Sequence, residues 1–248
     1  MIRLYISEPT PVFATGIHLA LSSDQSRYLT SVMRKNVGDQ IAIFNGRDGE
    51  WTAVISEAGK RHVTLSLTEQ TRPQSRGQGP VLAVALIKRT PLEYIIEKAT
   101  ELGVGKIQLL ITRRSNADHT KLERLRLIAQ EAAEQTERLD VPEILAPIKL
   151  ESFLANPEAD AILFGDEDST HEGTARVTKP LLEVLSTLSE KRTAILIGPE
   201  GGFDDMERQT LRARDDVYPV NLGPRILRAD TAAISALTLY QAALGDWK

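Results

Sequence analysis

Two glycine-punctuated turns near the C-terminus carry the residues best placed for chemistry. The first reads Ile197-Gly198-Pro199-Glu200-Gly201-Gly202, and the second Leu222-Gly223-Pro224-Arg225-Ile226-Leu227-Arg228-Ala229-Asp230. Each follows a short apolar run of strand type and leads into a helical pattern. In an α/β sheet, ligands bind beyond the carboxyl ends of the strands, so two such turns side by side predict one site. Glycine there lets backbone amides and carbonyls come close to a ligand. Neither turn has the Lys-Ser/Thr of a phosphate-cradling loop, no strand is followed by Gly-x-Gly-x-x-Gly, and no Gly-x-Ser-x-Gly elbow occurs. The four histidines, at 18, 62, 119 and 171, show no metal-ligand spacing. The absence of cysteine excludes disulfides, thiolate zinc sites and a cysteine nucleophile. Glycine-rich backbone without phosphate machinery suits a neutral or cationic nucleoside. Backbone groups read an adenine edge, while Ile197, Leu222 and Leu227 pack its face. S-adenosylmethionine is one ligand of that description.

The elements that must position these turns follow from periodicity. Up to about residue 70 the strand signals are short and closely spaced. Met1 to Ile6 starts the series; Ile41 to Phe44 and Trp51 to Ile55 flank the turn-rich Asn45 to Gly49, and His62 to Leu67 alternates at a period of two. Closely spaced strands with little helix predict a small β-barrel over residues 1–72. The polar, Gly/Pro-rich stretch from Thr71 to Pro80 reads as a linker, with the boundary placed at 73–80. Over 81–248 strand and helix alternate, which predicts a largely parallel sheet covered on both faces. The strand-type runs are Val81 to Ile87, Lys106 to Ile111, Asp160 to Phe164, Thr193 to Ile197 and Val217 to Leu222. Thr90-Pro91-Leu92-Glu93 predicts a helix start with Thr90 as N-cap, and Gly103 its left-handed stop. A second helix is expected from Lys121 to Leu139, another from Asp204, and a last over 231–244.

Composition narrows the class without naming a partner. With 42% hydrophobic and 26% charged residues, the chain reads as an ordinary globular protein. No apolar run has the length needed to span a bilayer, no signal peptide is apparent, and a cytoplasmic location is the simplest expectation. The net charge of −4 gives no global attraction to nucleic acid, although a local patch would suffice. Arginines gather at 3, 27, 34, 47, 61, 72 and 76. Charge leaves the partner undecided.

Five blocks resemble the family of 16S ribosomal RNA (uracil-N3)-methyltransferases, within the SPOUT superfamily. In chain order they are Lys98-Ala99-Thr100-Glu101-Leu102-Gly103-Val104, Thr112-Arg113-Arg114-Ser115, Glu134-Gln135-Thr136-Glu137-Arg138 with Val141-Pro142, Gly198 to Phe203, and Leu222 to Arg228. The N-terminal match rests on Arg3, Val32-Met33-Arg34 and Val37-Gly38-Asp39. Periodicity by itself gives a plain doubly wound sheet. The resemblance implies instead a SPOUT-type parallel sheet with a C-terminal trefoil knot, a topology otherwise nearly absent from proteins. It also implies a PUA-like or OB-like N-terminal barrel that helps hold RNA, S-adenosylmethionine as cofactor, and a homodimer. The substrate it implies is ribosomal RNA, free or in an assembled small subunit, with no role for a metal or a membrane.

Carried over residue by residue, the implied cofactor contacts are Leu163, Phe164, Gly165, Ile197, Gly198, Pro199, Glu200, Gly201, Leu222, Gly223, Ile226 and Leu227. Arg228 is the preferred catalytic residue; it stays protonated, so it orients the base or stabilises its anion. Uracil N3 must lose a proton before it attacks a methyl group, and Glu200 and Asp230 are both candidate acceptors. The chain has Ala229-Asp230 where family members often have Thr-Glu, and Asp230 ahead of Thr231 is equally suited to cap the last helix. An ion pair between Arg228 and Asp230 is the alternative role for that arginine. Arg3, Arg27, Arg34, Arg113, Arg114 and Arg138 are the candidate RNA contacts. Two other readings keep the same fold: a non-catalytic RNA-binding or ribosome-assembly factor, and a SPOUT enzyme methylating another RNA position.

Overall fold

The period-two alternation at His62–Leu67 is realised in a long strand whose inward side chains, Val63, Leu65 and Leu67, are fully buried. The computed structural model describes residues 1–59, 61–75, 79–115, 121–166, 177–189 and 191–247. Arg76, His119, His171 and positions 76–78 of the expected linker lie outside them. By contacts the chain divides into two units, residues 1–76 with 133–141, and residues 77–132 with 142–248.

The first unit holds β1 (Arg3–Tyr5), β2 (His18–Ala20), α1 (Ser23–Arg27), β3 (Gln40–Phe44), β4 (Glu50–Gly59) and β5 (His62–Arg72). These form a five-stranded sheet in the order β1-β3-β4-β5-β2, antiparallel except for β1 against β3. Ile41, Ile43, Ile55, Val63, Leu65 and Leu29 make its core. The sequence patterns did not indicate α1, which starts in a reciprocal capping box between Ser22 and Gln25 and runs on into one π-helical turn, Tyr28–Val32.

The second unit runs β6 (Val81–Ala85), α2 (Arg89–Glu101), β7 (Lys106–Ile111), α3 (Leu122–Gln135), β8 (Glu143–Lys149), α4 (Leu150–Ala155), β9 (Ala161–Gly165), β10 (Lys179–Pro180), α5 (Leu181–Leu185), β11 (Thr193–Ile197), α6 (Asp205–Arg212), β12 (Val217–Asn221) and α7 (Ala229–Ala243). Its seven strands are ordered β10-β12-β9-β11-β6-β7-β8, every neighbouring pair parallel. β6, β9 and β11 are nearly continuous runs of buried residues, as strands covered on both faces should be. After β8 the chain does not return to the side of β6. It lays down β9 one place away, β11 later fills the gap between them, and β12 joins β9 on its other side. The carboxyl ends of β11, β9 and β12 therefore stand side by side.

Three local expectations are corrected. α2 begins at Arg89 with Lys88 in the capping position and no side-chain cap, so Thr90 is inside the helix. α3 stops at Gln135, not Leu139, and Glu137 takes a left-handed φ of 60° just beyond. Its terminal carbonyls are taken up by Arg3, which donates to the Ala133, Glu134 and Arg138 oxygens at 3.1, 3.1 and 2.7 Å. Last, β8 is a seven-residue strand the patterns did not reveal; it contains Pro147, lies at the sheet edge and is only partly buried. α2 does end as expected, before Gly103 at φ 75°, and the Gln241 side chain donates to the Leu102 carbonyl at 2.6 Å. Among the described residues no helix is long and apolar enough to cross a membrane.

Candidate active site

A cavity of about 840 Å³ opens where β9, β11 and β12 end. Residues 165–166, 197–202 and 220–229 form its wall, with Ala232 behind them. Both glycine turns thus face one space. Gly198 could not be any other residue without displacement, because a Cβ there would come within 2.7 Å of the Phe203 ring. Phe203 in turn packs edge-on against Phe164, with ring centroids 5.2 Å apart. Gly223 adopts φ 107°, a conformation that side-chain-bearing residues rarely take, and its N–H donates to Asn221 Oδ1 at 3.3 Å. Arg114 braces the first turn by donating to the Gly201 carbonyl at 2.9 Å. Exposed backbone and the apolar side chains of Ile197, Val220, Leu222 and Leu227 dominate this wall. Its volume and character fit a nucleoside-sized ligand.

The inner end of the cavity is held by charges that sequence patterns did not single out. Asp166 follows β9, its backbone N–H bonds the Val220 carbonyl of β12 at 3.0 Å, and its side chain is fully buried. One carboxylate oxygen takes Arg208, and the other takes Nε of Arg212 at 2.9 Å. Those arginines are one turn apart on α6, which follows the first glycine turn. Asp166 therefore fastens the end of β9 both to β12 and to the helix after β11. The start of α6 is fixed as well: Asp204 and Glu207 bond each other's backbone N–H groups at 2.8 and 3.0 Å, and Arg113 pairs with Asp204 at 2.9 Å. Chiefly through the Glu207 N–H, and secondarily through Arg113, the Asp204 carboxyl is held below its ordinary range.

The outer end is different. A second cavity, of about 620 Å³, lies against the first and shares Glu200, Arg228 and Ala229 with it. Asp230 lines only the second. Arg228 occupies the capping position of α7, so Asp230 sits in the first turn rather than capping it, and it accepts the Thr231 N–H at 2.7 Å. The alternative ion pair between Arg228 and Asp230 does not form. Glu200 Oε1 lies 3.4 Å from the Lys88 N–H at the start of α2. A guanidinium and two carboxylates thus gather around the wall between the cavities, the set needed to move a proton and hold the resulting anion.

Of the twelve residues expected at a cofactor, ten line the first cavity; Leu163 and Phe164 are strand residues buried beneath it, and Asp166 takes their place. Arg3, expected at RNA, has its side chain only 7% exposed and committed to internal partners, pairing with Glu50 at 2.8 Å besides holding three carbonyls. Arg138 is largely buried too and pairs with Asp140 at 3.0 Å. Arg27, Arg34, Arg113 and Arg114 are exposed, the last two beside the first glycine turn and the start of α6. Lys88 and Tyr94 of the second cavity were missed, as isolated residues of common type carry no motif.

Comparison with known proteins bears on this geometry. Residues 78–241 match the model of the RNA methyltransferase domain, and residues 21–68 that of the RNA methyltransferase PUA domain. The chain is 36% identical to the ribosomal RNA small subunit methyltransferase E of Rickettsia conorii, over 95% of this chain and 93% of that one. It is 35% identical to the protein of the same name from Synechocystis sp., over 98% of this chain and 78% of its relative. Among solved structures, a methyltransferase of Legionella pneumophila in complex with the bound cofactor SAM superposes with a TM-score of 0.83 at 29% identity, covering 99% of this chain and 98% of that one.

Proposed function

The chain belongs to the RNA methyltransferase family, and from that premise we propose that it methylates N3 of a uracil in 16S ribosomal RNA. The observation that carries the reading is the wall of Glu200 and Arg228 between two adjoining cavities at the ends of β9, β11 and β12. The first cavity fits S-adenosylmethionine: Gly165, Ile197 to Gly201 and Leu222 to Leu227 offer backbone groups to an adenine edge and apolar cover to its face. When bound, this cofactor supplies an electrophilic methyl group on a sulfonium sulfur. The protein's own residues must do the rest. Uracil N3 carries a proton between two carbonyls, and Glu200 or Asp230 accepts it. Arg228 lies at the same wall and stabilises the negative charge that then spreads over O2, N3 and O4. Holding the nucleophile in line with the methyl group contributes as much as either charge.

The same reading extends to assembly. The working form is a homodimer in the cytoplasm, with its C-terminal chain tied in a trefoil knot. Its substrate is ribosomal RNA, free or in an assembled small subunit, which Arg27, Arg34, Arg113 and Arg114 help to hold. Family membership supports these points, and the insertion of β11 between β9 and β6 bears on the path of the C-terminal chain alone. Purified protein incubated with S-adenosylmethionine and unmodified small ribosomal subunits should yield 3-methyluridine, detected by mass spectrometry of digested RNA. A methyl group on a ribose oxygen would assign a different reaction. Cofactor binding with no methylated nucleoside, from subunits or free RNA, would leave an RNA-binding factor.

A further inference from the structure

The second cavity has a wall of its own that no part of the cofactor site explains. Ile87, Lys88, Thr90, Pro91 and Tyr94, from the connection after β6 and the first turns of α2, form it. We propose that this cavity receives the unstacked target uracil, with Tyr94 as the surface on which the base stacks and Lys88 as a cation at its edge. The proposal rests on the methyltransferase reading.

The first argument is position. Methyl donor and acceptor must meet at a boundary common to both their sites, and Glu200, Arg228 and Ala229 are the residues that line both cavities. A base in the second cavity is therefore adjacent to the proton acceptor and to the guanidinium at once. Buried Ala229 adds only a methyl group to that boundary.

The second argument is the character of the wall. Tyr94 is 45% exposed although it lies on a helix whose other large apolar residues, Leu92, Ile95 and Ile96, are fully packed. One turn further on, Lys98 is tethered to Glu97 and Glu101 at 2.7 Å each, and its Nζ stands 5.7 Å from the Tyr94 ring centroid. The ring thus has a held neighbour on the next turn, with Pro91 on the turn before. An aromatic plane beside apolar Ile87 and Pro91 is what an extruded base needs, since stacking replaces the neighbours it has lost.

The third argument is charge. Nearby cations are paired: Arg89 with Glu93 at 2.8 Å, and Lys98 with its two glutamates. Lys88 and Arg228, both lining this cavity, make no ion pair among the described residues. Two cations that make no ion pair among the described residues match a base that presents O2 and O4 as acceptors and becomes an anion when N3 is deprotonated.

The test is steady-state methylation of small ribosomal subunits by the full-length protein, reading 3-methyluridine, with S-adenosylmethionine affinity measured by calorimetry. Tyr94→Ala should raise KM for subunits roughly tenfold through lost stacking, while Tyr94→Phe stays near the parent protein. Lys88→Ala should lower kcat, and all three variants should keep their cofactor affinity. Parent-like kinetics in both alanine variants would overturn the proposal, and so would a parallel loss of cofactor affinity, which would give the cavity to the cofactor instead. If the parent protein forms no 3-methyluridine at all, the methyltransferase reading itself fails and this inference falls with it.

Discussion

Behind the first cavity, Arg208 and Arg212 share the Asp166 carboxylate at side-chain exposures of 8%, 4% and 0%, whereas in front of it Lys88 and Arg228 are exposed and make no ion pair among the described residues. Both ends of the site are rich in charge, yet the charges serve opposite ends. A buried guanidinium must be matched by a carboxylate, because removing one partner leaves an uncompensated charge out of water. Its interaction is directed inward and fixes geometry. An exposed guanidinium without a partner loses little by waiting in solvent, and it keeps its donors for an incoming group. The inner cluster determines where the glycine turns stand; the outer one acts on what arrives between them.

The largest effect that would test this division is at Asp166. Replacing it by alanine leaves two buried arginines without this carboxylate, and the fold should lose about 3–5 kcal/mol, seen as a lower Tm by calorimetry. Affinity for S-adenosylmethionine should fall with it, since β9, β12 and α6 are all tied at that residue. A variant with unchanged Tm would show that the inner cluster is not the frame of the cavity. The outer end should behave in reverse. Arg228→Ala should reduce kcat for methylation by about 10²–10³-fold, the scale for removing one donor to a developing anion. Its Tm and cofactor affinity should stay at the parent values. A drop in Tm there would mean that Arg228 supports structure, and the contrast between the two ends would disappear.

The legibility of these ends in the sequence differs for the same physical reason. The glycine turns, the strands at Lys106–Ile111 and Thr193–Ile197, and the start of α6 at Asp204 are local patterns, and all were readable. The Asp166 cluster is not local: its arginines lie 42 and 46 positions further along the chain. Arg3 misled for a related reason. Its partners are Glu50 and the carbonyls at 133–138, so a terminal arginine that reads as an RNA contact is a buried tie. Thr90 looked like a cap because Pro91 and Glu93 follow it at the right spacing, but the helix starts two residues earlier, with Lys88 in the capping position. Strand insertion is also invisible to periodicity, which finds β9, β11 and β12 but not that β11 enters between β9 and β6.

The smallest expected effect sharpens the comparison through α6, which carries both inner arginines. Asp204 caps that helix in a reciprocal box with Glu207, and Asp204→Ala should lower Tm by about 2–4 °C at neutral pH. The pH dependence has a definite sign. The Asp204 carboxyl is held below its ordinary value of 3.8, first by the Glu207 N–H and then by Arg113. Its stabilisation is therefore fully present above that value and is lost as pH falls through the depressed one. Thermal melts of the parent and the Asp204→Ala variant should differ by a constant amount from neutral pH down to about 5, and converge in more acidic buffer. Arg228→Ala provides the control, since that side chain is exposed and supports no buried pair. Should the Asp204→Ala difference persist unchanged in strong acid, the cap would be acting through its shape rather than its charge. The inner frame would then owe less to ion pairing than the Asp166 cluster implies.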